Sequence, residues 1–258
     1  MAFWPNKKTD QSASLCNPDA TPYAVFEGVG LTLTGRNILQ DISVSFEEHR
    51  IGIIGLNGSG KSSFIRMLNG LRQPSVGSLT LFGASSDKAQ SELPRHVGFV
   101  FQNPDHQAIF PTVEEEIAFS LTQLGMTKEE SRAQSLEFLK NHDCDQLAAK
   151  PIAELSEGQK QLVCILSVLV MKPSVLVLDE PMTSLDAVAS RSIFGKLMAL
   201  PQRIVMVSHE LSHFECFDRL LWLEDGRIRM DGKSGAVLSA YRKDIDQRID
   251  GHVEVAAL

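Results

Sequence analysis

The eight residues Gly55 to Ser62 read GLNGSGKS and constrain the chain more than any other stretch. They fit the pattern GxxxxGK[ST], follow the short apolar run Arg50 to Ile54 (RIGII) and precede an amphipathic run, FIRMLNGL. Strand, glycine loop and helix in that order make a phosphate cradle. Glycines let backbone N–H groups surround the phosphates, Lys61 neutralises the β and γ charges, and Ser62 offers a hydroxyl to Mg²⁺. The expected nucleotide-binding set is Asn57, Gly58, Ser59, Gly60, Lys61, Ser62 and Ser63.

The 258-residue length allows a large core, in one α/β domain with room for an inserted subdomain. A net charge of -7 argues against a general nucleic-acid binder, so no nucleic-acid partner is expected. The four cysteines, Cys16, Cys144, Cys164 and Cys216, form no CxxC pair, which points away from a disulfide framework or zinc ribbon and towards a reducing cytosol. Residues 1–22 lack a continuous apolar stretch and read as a mobile extension rather than a secretory signal. The longest nearly apolar run, Leu162 to Met171, falls far short of the roughly 20 residues needed to span a bilayer.

From Tyr23 to Phe46, β-rich runs separated by glycines predict an antiparallel region. Thr112 followed by Glu114, Glu115 and Glu116 marks a helix start, with acidic groups favouring the positive end of its dipole. Thr127 and Glu130 form a second start, a capping box. Further on, helices are expected over about Glu157 to Met171 and Ala187 to Leu200, alternating with strands Val175 to Leu178 and Arg203 to Ser208. That alternation predicts a parallel sheet buried on both faces. Asp225-Gly226 then joins two alternating runs as a hairpin. The expected division is a core over 23–103 and 158–258, with a helical subdomain over 104–157 inserted into it.

VLVLDEP places Asp179 and Glu180 at the end of an apolar strand, where α/β proteins bind ligands. Asp179 suits the Mg²⁺ shell, through water, and Glu180 is placed to orient or deprotonate an attacking water. A solvated acidic turn is the bland alternative, and the phosphate loop disfavours it. HELSH at 209 to 213 literally matches HExxH, the zinc-peptidase pattern. That pattern needs both histidines on one helix, whereas His209 ends the strand RIVMVS, so His213 is better read as a surface helix residue. Gln102, in VGFVFQNP, ends another apolar strand. In LSEGQ, Ser156 and Gln159 satisfy a capping box, and the same helix start leaves N–H groups able to face an anion.

Together, GLNGSGKS, Gln102, LSEGQKQ, VLVLDEP, Ser184-Leu185-Asp186 and His209 resemble the nucleotide-binding subunits of ATP-binding cassette (ABC) transporters over about Tyr23 to Tyr241. The resemblance implies a P-loop NTPase cassette fold with a parallel-sheet core, an antiparallel β region and an inserted helical subdomain. It also implies ATP with Mg²⁺ as cofactors and head-to-tail pairing, as a homodimer or with a related second ATPase. Ser156, Gly158 and Gln159 would close on the partner's ATP. Glu180 would be the catalytic base, Gln102 would link Mg²⁺ and water to the helical subdomain, and His209 would sense the γ-phosphate. Asp186 would cross the dimer interface, and Ser62, Gln102 and Asp179 would attend Mg²⁺.

Two residues depart from the family pattern. Glu157 replaces the first glycine of LSGGQ, and Leu33 stands where an aromatic residue normally stacks on adenine. FQNPDHQAIFPTVEEEIAFSLTQLG resembles the ATPases of energy-coupling factor importers, while RIGIIGLNGSGKSSFIRMLNGL and ALPQRIVMVSHE are most similar to the biotin-importer ATPase. This implies peripheral attachment at the cytoplasmic membrane face, with integral membrane coupling and substrate-capturing subunits as partners. Cobalt or nickel uptake and a soluble, non-transport ABC protein are the alternatives. The latter class generally carries paired cassettes or a long coiled-coil insertion, and neither is present in this sequence.

Overall fold

Four nearly continuous apolar strands run side by side at the centre of the computed structural model, which describes residues 15–256. These are β3 (Arg50–Ile54), β7 (Val175–Asp179), β8 (Arg203–Val207) and β9 (Arg219–Glu224). With β6 (Val97–Val100) and β10 (Arg227–Lys233) they form a six-stranded sheet in the order β10-β9-β3-β8-β7-β6, parallel except for the β9–β10 hairpin. Side chains alternate across it. Ile51, Ile53, Val175, Val177, Val205, Val207, Leu221 and Leu223 enter one core, whereas Leu176, Leu178, Ile204, Met206, Leu220 and Trp222 enter another. Burial on both faces explains why these strands carry no polar alternation.

The first core is closed by a four-stranded antiparallel sheet in the order β2-β1-β4-β5, built from β1 (Ala24–Leu33), β2 (Arg36–Phe46), β4 (Val76–Leu81) and β5 (Ala84–Ser85). Phe26 and Phe46 from this sheet meet Phe64 of α1 (Lys61–Ile65), with ring centroids 4.8 to 6.0 Å apart. Two short helices, α2 (Ser86–Ala89) and α3 (Leu93–His96), lead into β6. The second core is covered by residues of α6 (Glu157–Leu169), α7 (Ala187–Met198) and α8 (Ser234–Ala256). A third apolar cluster joins α4 (Val113–Gln123), α5 (Lys128–Asn141) and α6.

The predicted helix starts appear as drawn. Thr112 Oγ accepts the Glu115 N–H, and both Thr127–Glu130 and Ser156–Gln159 form reciprocal capping boxes. The run FIRMLNGL is helical only to Ile65. Beyond it Met67 and Leu68 donate to Phe64 and Ile65, the tighter i→i+3 pattern, while both side chains stay buried. Residues 15–22, placed in a mobile extension on sequence, pack onto the body: Cys16 is buried in the first core and Asn17 N–H donates to Phe82 O at 2.9 Å. The rest of that extension lies outside the described residues. No helix among the described residues is long and apolar enough to cross a membrane.

The hairpin tip at Asp225-Gly226, with φ of 47° and 75°, lies against the glycine loop. Gly226 N–H donates to Ser59 O, Gln40 N–H donates to Gly226 O, and a Cβ at Gly226 would sit 2.5 Å from Ile38 O. Gly226→Ala is therefore predicted to lose about 2 kcal/mol in urea unfolding, from left-handed strain and backbone collision. Gly232→Ala on the same hairpin, where a Cβ would meet only Val237 at 4.0 Å, should change stability by no more than ~0.5 kcal/mol.

Candidate functional site

β3 delivers the glycine loop, and its first glycine fixes the loop's path. Gly55 has φ 148°, and a Cβ there would lie 2.1 Å from Leu223 O, so no side chain fits between loop and β9. Gly58 has φ 82° with open space beside it, which leaves the backbone approachable. Lys61 is buried, and its ammonium donates to Gly55 O and Leu56 O at 2.8 and 3.0 Å. Burial pushes its pKa down, opposed by the charges of Glu180 and Asp179. Ser59 Oγ is buried without a hydrogen-bond partner. The loop thus holds its lysine and a polar group in readiness for an anion.

At the end of neighbouring β7, Asp179 is 2% exposed; it accepts from Ser62 Oγ at 3.0 Å and pairs with Arg66 at 3.3 Å. Burial pushes its carboxyl up, while Ser62 and Arg66 pull it down. Glu180, one residue on, adopts φ 51°, an uncommon left-handed conformation for this residue type. The two neighbouring carboxylates take different partners, although the Glu180 charge still adds to the upward push on Asp179. His209 Nε2 lies 2.9 Å from Glu180 Oε1, while Gln102 Nε2 and Thr183 Oγ donate to Glu180 Oε2 at 3.2 and 3.1 Å. Strand ends of β6, β7 and β8 therefore converge on one carboxylate.

Gln102, Ser62, Asp179, Glu180 and His209, read separately from the sequence, are brought together here. The signature residues sit elsewhere, at the start of α6, where Ser156 and Gln159 cap the helix. A Cβ at Gly158 would approach Ala189 Cβ of α7 to 3.0 Å, so this glycine also permits close helix packing. Asp186 caps α7 by accepting from Val188 and Ala189 N–H. Glu157 turns outward to Lys160 at 3.2 Å, and Lys160 also pairs with Asp105 at 3.0 Å. Leu33 leans half-buried on the first core.

His213 departs from the surface position expected of it. It is half-buried, stacked on Phe194 at 4.5 Å, with Nδ1 3.2 Å from Ser208 Oγ. His209 lies before the 3₁₀ turn that carries His213 and faces Glu180 instead, so HELSH does not present a histidine pair on one helix.

Sequence reading missed Arg66, Thr183, Lys160 and Gln107. Spacing was the available signal for three of them: Arg66 lies four residues after Ser62, Thr183 three after Glu180 and Lys160 three after Glu157. Gln107 accepts the Phe101 N–H and donates to Cys164 O of α6, at 3.1 and 2.8 Å, a tertiary link with no local signature.

A family model described as ABC transporter matches residues 39–183. The chain is 39% identical over 213 residues to the biotin transport ATP-binding protein BioM of Rhodobacter capsulatus, covering 83% of this chain and 91% of that protein. It is 32% identical over 242 residues to the energy-coupling factor transporter ATP-binding protein EcfA1 of Mycoplasma pneumoniae, covering 90% and 88%. The solved structure of cbiO1 from Clostridium perfringens, part of the ABC transporter complex cbiONQ, superposes with a TM-score of 0.75 at 27% identity, covering 92% and 99%.

Arg66→Met leaves the buried Asp179 carboxyl with one fewer partner and is predicted to lower stability by about 1–3 kcal/mol in urea unfolding. Combined with Asp179→Asn it should lose less than the sum of the single losses, by at least ~0.5 kcal/mol. Strict additivity would show that the pair does not interact.

Proposed function

We propose that this chain, which belongs to the ABC transporter family of ATPases, powers an energy-coupling-factor-type importer whose favoured cargo is biotin. The observation carrying the catalytic part is the convergence of His209, Gln102 and Thr183 on the Glu180 carboxylate. A base so held is oriented before substrate arrives, and Gln102 and His209 can report on what stands between them. The importer and the biotin cargo are supported by the names of the BioM and EcfA1 relatives. A cobalt or nickel cargo is the second reading, since cargo choice rests with the membrane partners.

In this reading the residues 57–63 hold the ATP phosphates, with Lys61 exchanging loop carbonyls for phosphate oxygens. The oxygen donors of Ser62, Asp179 and Gln102 form a hard set that fits Mg²⁺, with Ser62 already bonded to Asp179. Bound there, Mg²⁺ would neutralise phosphate charge. Ser156, Gly158 and Gln159 serve ATP held by a second cassette, either another copy or a related ATPase, and Asp186 lies at the crossing. The helices of 104–157 form the inserted subdomain that meets integral membrane coupling and substrate-capturing subunits at the cytoplasmic face.

Glu180→Gln keeps the shape of the site and removes the base. ATP binding should stay within about twofold while turnover falls at least ~100-fold; unchanged turnover would assign the base elsewhere. Copurification in mild detergent with an integral membrane protein, followed by biotin binding to its substrate-capturing subunit, tests the importer. Metal-ion binding there instead would select cobalt or nickel, and no membrane partner at all would select a soluble ABC ATPase.

The outward pairing of Glu157 predicts how the signature behaves. In a Glu180→Gln background, Glu157→Gly should change ATP-driven dimerisation by less than about threefold, because Lys160 already balances the charge. Lys160→Met should weaken it several-fold at low salt and much less at high salt. Tightening on Glu157→Gly would show that the carboxylate faces the partner's phosphate.

A further inference from the structure

Away from the nucleotide site, three metal-ligating side chains of different chemistry meet where the N-terminal segment crosses α3. The Cys16 Sγ, a Glu92 carboxylate oxygen and a His96 ring nitrogen all lie within 4.8 Å of one another. Glu92 and His96 are four residues apart on one helical turn, Glu92 preceding α3 and His96 ending it. This spacing puts two side chains on one side of a turn. Cys16 comes from 76 residues upstream and is buried at 4% exposure, with Glu92 and His96 half-buried. Glu92 also accepts the Leu15 and Cys16 N–H groups at 3.1 to 3.4 Å, so the cysteine is brought to the pair by its own backbone.

We propose that Cys16, Glu92 and His96 form a binding site for a borderline divalent cation, Zn²⁺ in the first instance, independent of the Mg²⁺–ATP site. Ligand type selects the ion: a thiolate and an imidazole suit zinc, whereas the all-oxygen set of Ser62, Asp179 and Gln102 suits a hard cation. Zinc bonds of about 2.0–2.3 Å place tetrahedral ligand atoms roughly 3.3–3.8 Å apart, so closing on the ion requires a contraction of about 1 Å, within rotamer adjustment. Three protein ligands leave a fourth position for water. Cysteine loses its proton on binding, and Glu92 lowers the net charge of the bound site to zero. Such an ion fastens residues 15–17 to α3, which runs directly into β6, the strand that leads to Gln102.

The test uses the full chain, stripped with chelator and titrated with ZnCl₂ alone against a chromophoric competitor. One equivalent is expected to bind, with affinity falling at least tenfold in Cys16→Ser and in His96→Ala and remaining unchanged in Cys216→Ser, which alters an exposed cysteine elsewhere. Glu92→Gln guards against misfolding, because its amide oxygen still accepts the Leu15 and Cys16 N–H groups; it should also bind more weakly. Co²⁺ in place of Zn²⁺ should give a thiolate charge-transfer band that Cys16→Ser abolishes. Absence of stoichiometric binding, or equal affinity in a Cys16→Ser, His96→Ala double variant, would overturn the proposal and leave Glu92 as a backbone anchor only.

Discussion

Two adjacent carboxylates at the end of β7 govern the rest of the arrangement, because each needs different partners and the chain has to separate them. Asp179 completes the strand and stays buried, held by Ser62 and Arg66 from the glycine-loop helix. Glu180 leaves the strand in a left-handed conformation and faces Gln102, Thr183 and His209. The parallel order β3-β8-β7-β6 makes both sets of contacts available, since it sets the C-terminal ends of four strands side by side. Reordering any of these strands would remove one partner from one carboxylate.

The same site connects to the signature helix through a short segment. Gln102 touches Glu180, and within the next five residues Asp105 pairs with Lys160 while Gln107 donates to Cys164 O. Lys160 and Cys164 both lie on α6, which Ser156 caps and whose first turn carries Gly158 and Gln159. Movement around Glu180 thus has a bonded route to the start of α6, the helix start that the proposed function assigns to a second cassette. Glu116 steadies this segment from the other side, its buried carboxylate accepting the Ile109 and Phe110 N–H groups. It acts as a loop anchor as well as a charge near a helix dipole.

Much of this was legible in the sequence where a local rule fixes a residue. Apolar runs of four or five residues announced β3, β7 and β8, glycine spacing announced the loop, and capping residues announced α4, α5 and α6. What stayed hidden depends on partners distant in sequence. Nothing local shows that Glu157 is balanced by a lysine shared with Asp105, that Gly226 buttresses Ser59, or that His213 stacks on Phe194. The packing of residues 15–22 is hidden for the same reason: their composition is that of an extension, but Glu92 and Phe82 supply hydrogen-bond partners to Leu15 and Asn17.

The central claim is that one chain holds two unlike halves of an ATP site, a glycine loop with its carboxylates and a signature helix start, which work only between cassettes. Mixing two inactive variants tests it most directly. Lys61→Ala removes the phosphate ligand and leaves the signature intact. Ser156→Asp keeps a favourable helix cap and, in the proposed pairing, would place a negative charge against the partner's phosphate. The account predicts negligible ATP turnover from either alone and recovery towards about a quarter of wild-type turnover in an equal mixture, where random pairing restores one intact site in half of the dimers. Turnover in the mixture no greater than the sum of the separate variants would contradict it.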